Sequence, residues 1–291
     1  MIYDSSALFL HSGTGNSLRV AMWMADIARE AGVPATVSAS RGAAPEWPAD
    51  EPPAGSGQLL VGLVLPTHGF TAPSGALRLA GSLPRVAISG ERCDAVVVAT
   101  RGATRVAGIV IPGFEGGAAL LCALILRLKG YRIRAAVGVD MPSNWTAIHS
   151  GMPADAVTEI RSRGRLQIDS LMATVLSGAR VEPSALTALA ALALLPVSVS
   201  YMLLGRRLLG KLFFASELCT GCGRCAARCS HNAIEMRGPA GGLCPVWTLR
   251  CESCMRCMAF CPAQSVEVSH VCAIGTAIIA MMLPTTRWVT G

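Results

Sequence analysis

Between residues 1 and 180, short and nearly unbroken apolar runs alternate with longer stretches in which apolar residues recur every three or four positions. The short runs, Ala7–Leu10, Ala35–Ser38, Gln58–Leu65, Asp94–Thr100 and Ile133–Val139, read as β-strands. Those at 58–65 and 94–100 have no polar face, as expected of strands covered on both sides. Leu18, Met22, Ala25 and Ala28 share one face of a helix that Gly32 and Pro34 stop. Helical spacing returns at 117–129 and 154–178, and the proline- and glycine-rich stretch 41–57 reads as a surface loop. Strands alternating with helices predict an α/β fold with an open parallel sheet, whose ligands sit beyond the carboxyl ends of the strands. The loops 11–17, 66–70 and 100–102 fall there.

The pattern then changes. From Pro183 to Gly205 there is no charged residue, with Glu182 on one side and Arg206-Arg207 on the other. The run is long enough to cross a bilayer, but Pro196 divides it into two pieces that are each too short. A span would also part the first 180 residues from the cysteine-rich segment beyond. An apolar helical connector (181–212) packed between domains is the expectation. A membrane surface or a partner subunit is the alternative covering for 183–205 and for a second uncharged stretch, 268–286, which overlaps the apolar C-terminal tail 271–291.

The cysteines bring in the chemistry. Cys219, Cys222, Cys225 and Cys229 follow C-x2-C-x2-C-x3-C, and Cys251, Cys254, Cys257 and Cys261 repeat it, with Pro262 after the last. Three closely spaced thiolates cap three irons of one cubane, and in the two-cluster arrangement each fourth cysteine ligates the other cluster. Cys219, Cys222, Cys225 and Cys261 are then expected on one 4Fe–4S cluster, and Cys229, Cys251, Cys254 and Cys257 on its partner, within a domain spanning 213–270. Zinc sites use pairs with longer spacers, and disulfide frameworks belong to short secreted domains. Ser230 stands where the first motif would carry its proline. The other cysteines, Cys93, Cys122, Cys244 and Cys272, are scattered. Cys244, between the quartets and before a proline, is expected to be a small buried hydrophobe, with an extra ligand or reactive thiol as the alternative.

Composition agrees with a cofactor-loaded chain. It is 52% hydrophobic and 15% charged, with mean hydropathy +0.49 and a formal charge of +7. Residues 206–291 hold nine basic and four acidic side chains, and cluster charges offset that excess. No basic stripe or aromatic platform for nucleic acid is present. Twelve cysteines and no leading signal peptide imply a reducing, cytoplasmic setting, with membrane association as the variant.

One loop suggests an anion. A strand ending in His11-Ser12-Gly13-Thr14-Gly15-Asn16-Ser17 and running into a helix places glycine backbone, hydroxyls and helix N-terminal amides around a phosphate. No Gly-Lys-Ser/Thr follows, which disfavours a nucleoside triphosphate loop. A glycine-rich strand–helix turn with no ligand is the bland equivalent.

Ser12-Gly-Thr-Gly-Asn-Ser17 resembles the phosphate loop of flavodoxins. Together with Met141-Pro-Ser-Asn-Trp145 and the two quartets, the chain resembles the fused flavodoxin–ferredoxin electron-transfer proteins of anaerobes. The resemblance implies a flavodoxin-like doubly wound parallel sheet (1–180) followed by a small α+β bacterial-type ferredoxin domain with two [4Fe–4S] clusters. It also implies flavin mononucleotide (FMN). The phosphate would sit at Ser12, Gly13, Thr14, Gly15, Asn16 and Ser17, with Thr67, His68, Gly69, Asn144 and Trp145 near the rest of the molecule. The tyrosine or tryptophan that flavodoxins stack on the ring has only His68, Phe70 or Trp145 as counterpart here.

The function expected is electron transfer between a two-electron flavin step and one-electron redox partner proteins. Two alternatives are an iron–sulfur subunit with a flavin-free docking domain and an FMN-dependent reductase with His68, Phe70 and Asn144 beside the ring. No residue set marks a substrate reaction. His11, His68, His149, His231 and His270 lack a paired carboxylate at a readable spacing and are expected in turns or on the surface.

Overall fold

The computed structural model describes residues 2–39, 58–86, 93–146, 151–238 and 242–268. The loop expected at 41–57, the apolar tail, Cys272, His149 and His270 lie outside these residues.

Six strands build the first sheet: β1 (Ser5–Leu10), β2 (Ala35–Ala39), β3 (Leu59–Pro66), β4 (Cys93–Val106), β5 (Ile109–Ile111) and β6 (Arg132–Pro142). Five of them are parallel in the order β2-β1-β3-β4-β6, and β5 pairs antiparallel with the far end of β4. Numbering the parallel strands alone gives 2-1-3-4-5, the flavodoxin-like doubly wound order. Strand periodicity divides the core in two. Phe9, Val61, Leu63, Leu65, Val97 and Ala99 face one side, under α2 (Ser74–Ser82) and α3 (Ala118–Leu128). Leu8, Leu10, Leu60, Val64, Val96 and Val98 face the other, under α1 (Asn16–Glu30) and α4 (Ala154–Leu176). Gly62 leaves room for Leu8, because a Cβ there would lie 2.3 Å from Leu8 Cδ2.

Several elements differ from expectation. The face of α1 is shifted, with Leu18 and Met22 exposed and Val20, Ala21 and Met24 buried beside Ala25 and Ala28, and the sequence pattern anticipates neither α2 nor β5. The short helix α2 lacks the length for a clear pattern. Strand β4 does not stop at Thr100 but runs six residues further. Its partner β6 also continues, pairing Arg101 with Asp140, Gly102 with Met141 and Ala103 with Pro142. Arg101 is tied to Asp140 at 2.8 Å and to Glu115 at 2.7 Å, both carboxylates buried. The extra ladder and this ion triad hold the extension.

Beyond α4, the connector forms α5 (Ala185–Ala193) and α6 (Leu195–Ser200), followed by a π-turn at Tyr201–Gly205 and short helical turns to Leu212. The two arms bend by 51° at the break before Leu195-Pro196. The second arm packs between domains, as expected. Ser198 Oγ donates to Phe70 O (3.1 Å), Tyr201 covers Gly69, and Gly210 abuts Cys251. The first arm does not: α5 has no buried residue.

The last domain has two small antiparallel pairs, β7 (Phe213–Ala215) with β10 (Val266–Val268) and β8 (Ile234–Arg237) with β9 (Cys244–Trp247). Phe213, Ile234, Trp247, Met255 and Val266 form its core, with cysteines packed around them. Cys244 is exposed on β9, contrary to the expectation of burial. It sits at the end of a two-stranded ribbon opposite Arg237.

Candidate cofactor sites at the domain junction

The two cysteine motifs fold alike. Gly221 and Gly223 flank Cys222 with φ near +67°, and Ser253 and Met255 flank Cys254 with φ of 51° and 61°. Asn232 and Gln264, each three residues past a fourth cysteine, are again left-handed. Such angles cost little at glycine and about 1 kcal/mol elsewhere, so the second motif keeps the shape against its own propensity. The turns aim backbone N–H groups at sulfur: Ala233 to Cys229 Sγ at 3.3 Å, Ser253 to Cys251 Sγ and Ser265 to Cys261 Sγ, both at 3.4 Å.

Each quartet lines a pocket of its own, one formed by Cys219, Cys222, Cys225 and Cys261, the other by Cys229, Cys251, Cys254 and Cys257. Among the described residues, no three His, Cys, Asp or Glu converge closely enough for a single metal ion. Four thiols spread around a cavity, with N–H donors on the sulfurs, suit a polynuclear cluster better than one tetrahedral zinc.

The third cavity, a cleft of about 390 Å³ open to solvent, lies at the carboxyl ends of the strands. It gathers Ser12, Gly13, Thr14, Asn16 and Ser17 from the glycine-rich loop, Pro66, Thr67 and His68 from the end of β3 and the residues after it, Thr100, Arg101 and Gly102 of β4, and Met141, Pro142 and Asn144 from the end of β6 and the loop beyond. Gly15 turns the chain into α1 with φ of 110°, its N–H bonded to Ser12 Oγ at 3.1 Å. Asn144 Nδ2 donates to Thr14 Oγ1, Asn16 Nδ2 to Pro142 O (2.8 Å), and Ser17 Oγ shares a hydrogen bond with Thr100 Oγ1 (3.1 Å). The α1 first-turn amides, like those of any helix, have no intrahelical acceptor.

Gly69 and Trp145 are placed elsewhere. Gly69 tips a tight turn with Phe70, both left-handed, and presses on the Tyr201 ring. Trp145 is exposed and does not line the cleft. Pattern reading had no access to Arg101, whose partners lie 14 and 39 residues away. Burial opposes its charge, but the hydrogen bonds to Asp140 and Glu115 outweigh that and raise its pKa.

Two buried polar atoms in the cleft wall, Thr67 Oγ1 and His68 Nδ1, have no partner among the described residues. Buried polar groups are nearly always paired, so these atoms point to a polar ligand between the loops. A phosphorylated flavin fits that donor set: neutral hydroxyls and helix amides at one end, an imidazole and a hydroxyl further in.

The cleft and the cysteine domain touch. A Cβ at Gly13 would lie 2.8 Å from Cys254 O, and Arg256 donates to Gly13 O at 2.8 Å while lying over the Phe260 ring. Nearby, His11 and His231 meet edge to face at 5.4 Å, and His68 hydrogen-bonds the Glu252 backbone. His11 is buried at the junction, whereas His68 and His231 are half-buried there, His68 opening the 68–71 turn and His231 lying in the turn after Cys229. Glu252 is the carboxylate that sequence spacing did not reveal. Burial, then His231 and His68, lowers the His11 pKa to about 3; burial, then His231, lowers that of His68 to about 4.

Comparison with known proteins finds one family match and several similar solved structures. Residues 213–235 match the family described as 4Fe-4S binding domain. No curated protein matches the chain. Similar solved structures include a Fusobacterium nucleatum flavodoxin mutant bound to flavin mononucleotide (11% identity, 62% of this chain, 99% of that one, TM-score 0.37). A Streptococcus pneumonia TIGR4 flavodoxin is another (15%, 58% and 97%, TM-score 0.36). Rubredoxin oxygen:oxidoreductase of Desulfovibrio gigas is a third (16%, TM-score 0.29); 58% of this chain aligns with only 36% of that longer protein. By strand order and by cysteine motif, the chain joins a flavodoxin-like α/β domain to a 4Fe–4S binding domain, the make-up of an iron–sulfur electron-transfer protein.

Proposed function

We propose that this protein carries two [4Fe–4S] clusters in crossed quartets and FMN in the strand-end cleft, and passes electrons to redox partner proteins. The reading rests above all on Gly13 against Cys254, because it brings the glycine-rich loop and one quartet into van der Waals contact. Bound FMN would supply the exchange between two-electron and one-electron chemistry. Ser12, Thr14 and Ser17 and the α1 amides receive the phosphate, and Asn144 holds Thr14 in place. Thr67 and His68 offer their unpartnered atoms deeper in the cleft. Tyr201 and the second connector arm keep water from the 68–71 turn.

The residues also rank the two quartets. Cys229, Cys251, Cys254 and Cys257 form the inner one, beside the cleft; Cys219, Cys222, Cys225 and Cys261 form the outer one. Cys222 is exposed, which suits exchange with a docked partner.

Anaerobic purification, with flavin, iron and acid-labile sulfide measured per chain on one sample, tests the proposal. About one flavin with about eight irons and eight sulfides is expected. Full iron without flavin, even after incubation with FMN, would reject the flavin half and leave a two-cluster protein on a docking domain. The mutual hydrogen bonds among Thr14, Asn144, Ser17 and Thr100 favour that second reading.

A further inference from the structure

The first connector arm has no polar face. Leu186, Leu189 and Leu192 of α5 are 75, 63 and 67% exposed, and its hydroxyl residue, Thr187, is hydrogen-bonded to Ser184 at the helix start. The outward side of the second arm adds Leu195, Val199, Leu203 and Leu208, all exposed. A helix docking on one protein partner needs one apolar stripe and keeps a polar back; a helix apolar all round needs surroundings that enclose it. Acyl chains do that.

Length and charge narrow the arrangement. Nine residues of α5 reach about 14 Å at 1.5 Å per residue, half of a hydrocarbon core of about 30 Å. The 51° bend and the contacts of Ser198, Tyr201 and Gly210 with the rest of the protein keep the second arm from continuing as a span. Arg206, Arg207 and Lys211 follow where the uncharged run ends, at the level of headgroups if α5 is immersed. Cations there are attracted to anionic lipid.

We infer that α5 and the outer side of the second arm form a monotopic anchor that inserts into one leaflet of an anionic membrane, with Arg206 and Arg207 on the headgroups. The cluster domain then rides at the membrane surface, since Gly210 on this arm abuts Cys251.

Flotation of the full-length, cluster-loaded protein tests this, with phosphatidylcholine vesicles and with vesicles of roughly three parts phosphatidylcholine to one of phosphatidylglycerol. Wild type is expected to float with the anionic vesicles. The double variant L189E/L192E should lose at least about tenfold in bound fraction at unchanged iron content, since two leucines no longer enter hydrocarbon. The R206E/R207E pair should weaken binding to anionic vesicles and not to neutral ones. Wild type that stays down with both vesicles, or L189E/L192E that floats like wild type, would overturn the inference. So would a vesicle-free dimer that L189E/L192E splits, which assigns the face to a second copy. Flotation that begins only when residues 269–291 are deleted would assign it to the chain's own tail.

Discussion

Ser74, the first residue of α2, donates its backbone N–H to Glu252 Oε2 at 2.9 Å, across the junction between the two domains. The first-turn amides of a helix lack intrahelical acceptors, and here a carboxylate from the cysteine domain supplies one. Glu252 is only 4% exposed, and its carboxylate faces the positive end of α2. Glu252→Gln removes the charge and keeps the shape. It should lower the thermal midpoint by an amount equivalent to about 1–2 kcal/mol, read by anaerobic calorimetry with iron content as control.

Gly13→Ala tests the contact between loop and quartet. The added Cβ meets a backbone oxygen at 2.8 Å, which cannot swing aside as a side chain can. A loss of about 1–3 kcal/mol in domain docking is expected. Amide exchange should rise at 12–17 and 252–256 together, while the sheet core stays protected. Unchanged exchange at 252–256 would mean that the two domains are not coupled there.

Arg101→Met leaves Asp140 and Glu115 buried beside each other without their cation. A loss of about 3–5 kcal/mol is expected, visible as a lower urea midpoint. The β4 extension should exchange first, because this triad and the paired end of β6 are what hold it.

The proposed crossed ligation assigns Cys229 and Cys261 each to the cluster of the other motif. Cys229→Ala should disturb the cluster whose other ligands are Cys251, Cys254 and Cys257, and Cys261→Ala the one served by Cys219, Cys222 and Cys225. Electron paramagnetic resonance of the two reduced variants should retain different signals. Loss of the same signal in both would refute the crossing.

The buried histidines give a pH dependence of known sign. His11 and His68 stay neutral in the fold well below their ordinary 6.5, so unfolding below pH 6.5 takes up protons. Their contribution is complete above pH 6.5 and falls as the pH drops toward the folded values. The loss at pH 5.5 is about 1 kcal/mol for each. His231, Glu252 and Arg78 face His11, and His231 faces His68. His68→Gln should melt with a shallower pH slope than wild type between pH 7.5 and 5.5; an identical slope would show that His68 does not stay neutral.

Strands with a period of two or with both faces apolar, such as 59–66, were legible in the sequence, because parallel strands must be buried on both sides. The cysteine rhythm and the glycine-rich turn were legible as well, since both are local. What the sequence hid is non-local. Arg101 finds Asp140 only because β4 and β6 are neighbours, and Glu252 finds Ser74 only because two domains meet. Cys244 was expected to be buried and Trp145 to lie near the flavin, but both are exposed, and exposure depends on which distant segments pack over a residue. The His11–His231 contact joins residues 220 apart, which no pattern within one segment can announce.

The crossing of the quartets sets an order of birth. Cys261 is needed for the cavity that begins at Cys219, so neither cavity is complete until nearly the whole segment has left the ribosome. The sheet of residues 5–142, by contrast, has every strand in hand long before, and domains generally fold as units from the N-terminus. The α/β domain can thus stand ready as a template, with Gly13 exposed, when the iron sites close. Swapping the domain order would take that template away, and iron loading during synthesis should suffer even if the finished fold were unchanged.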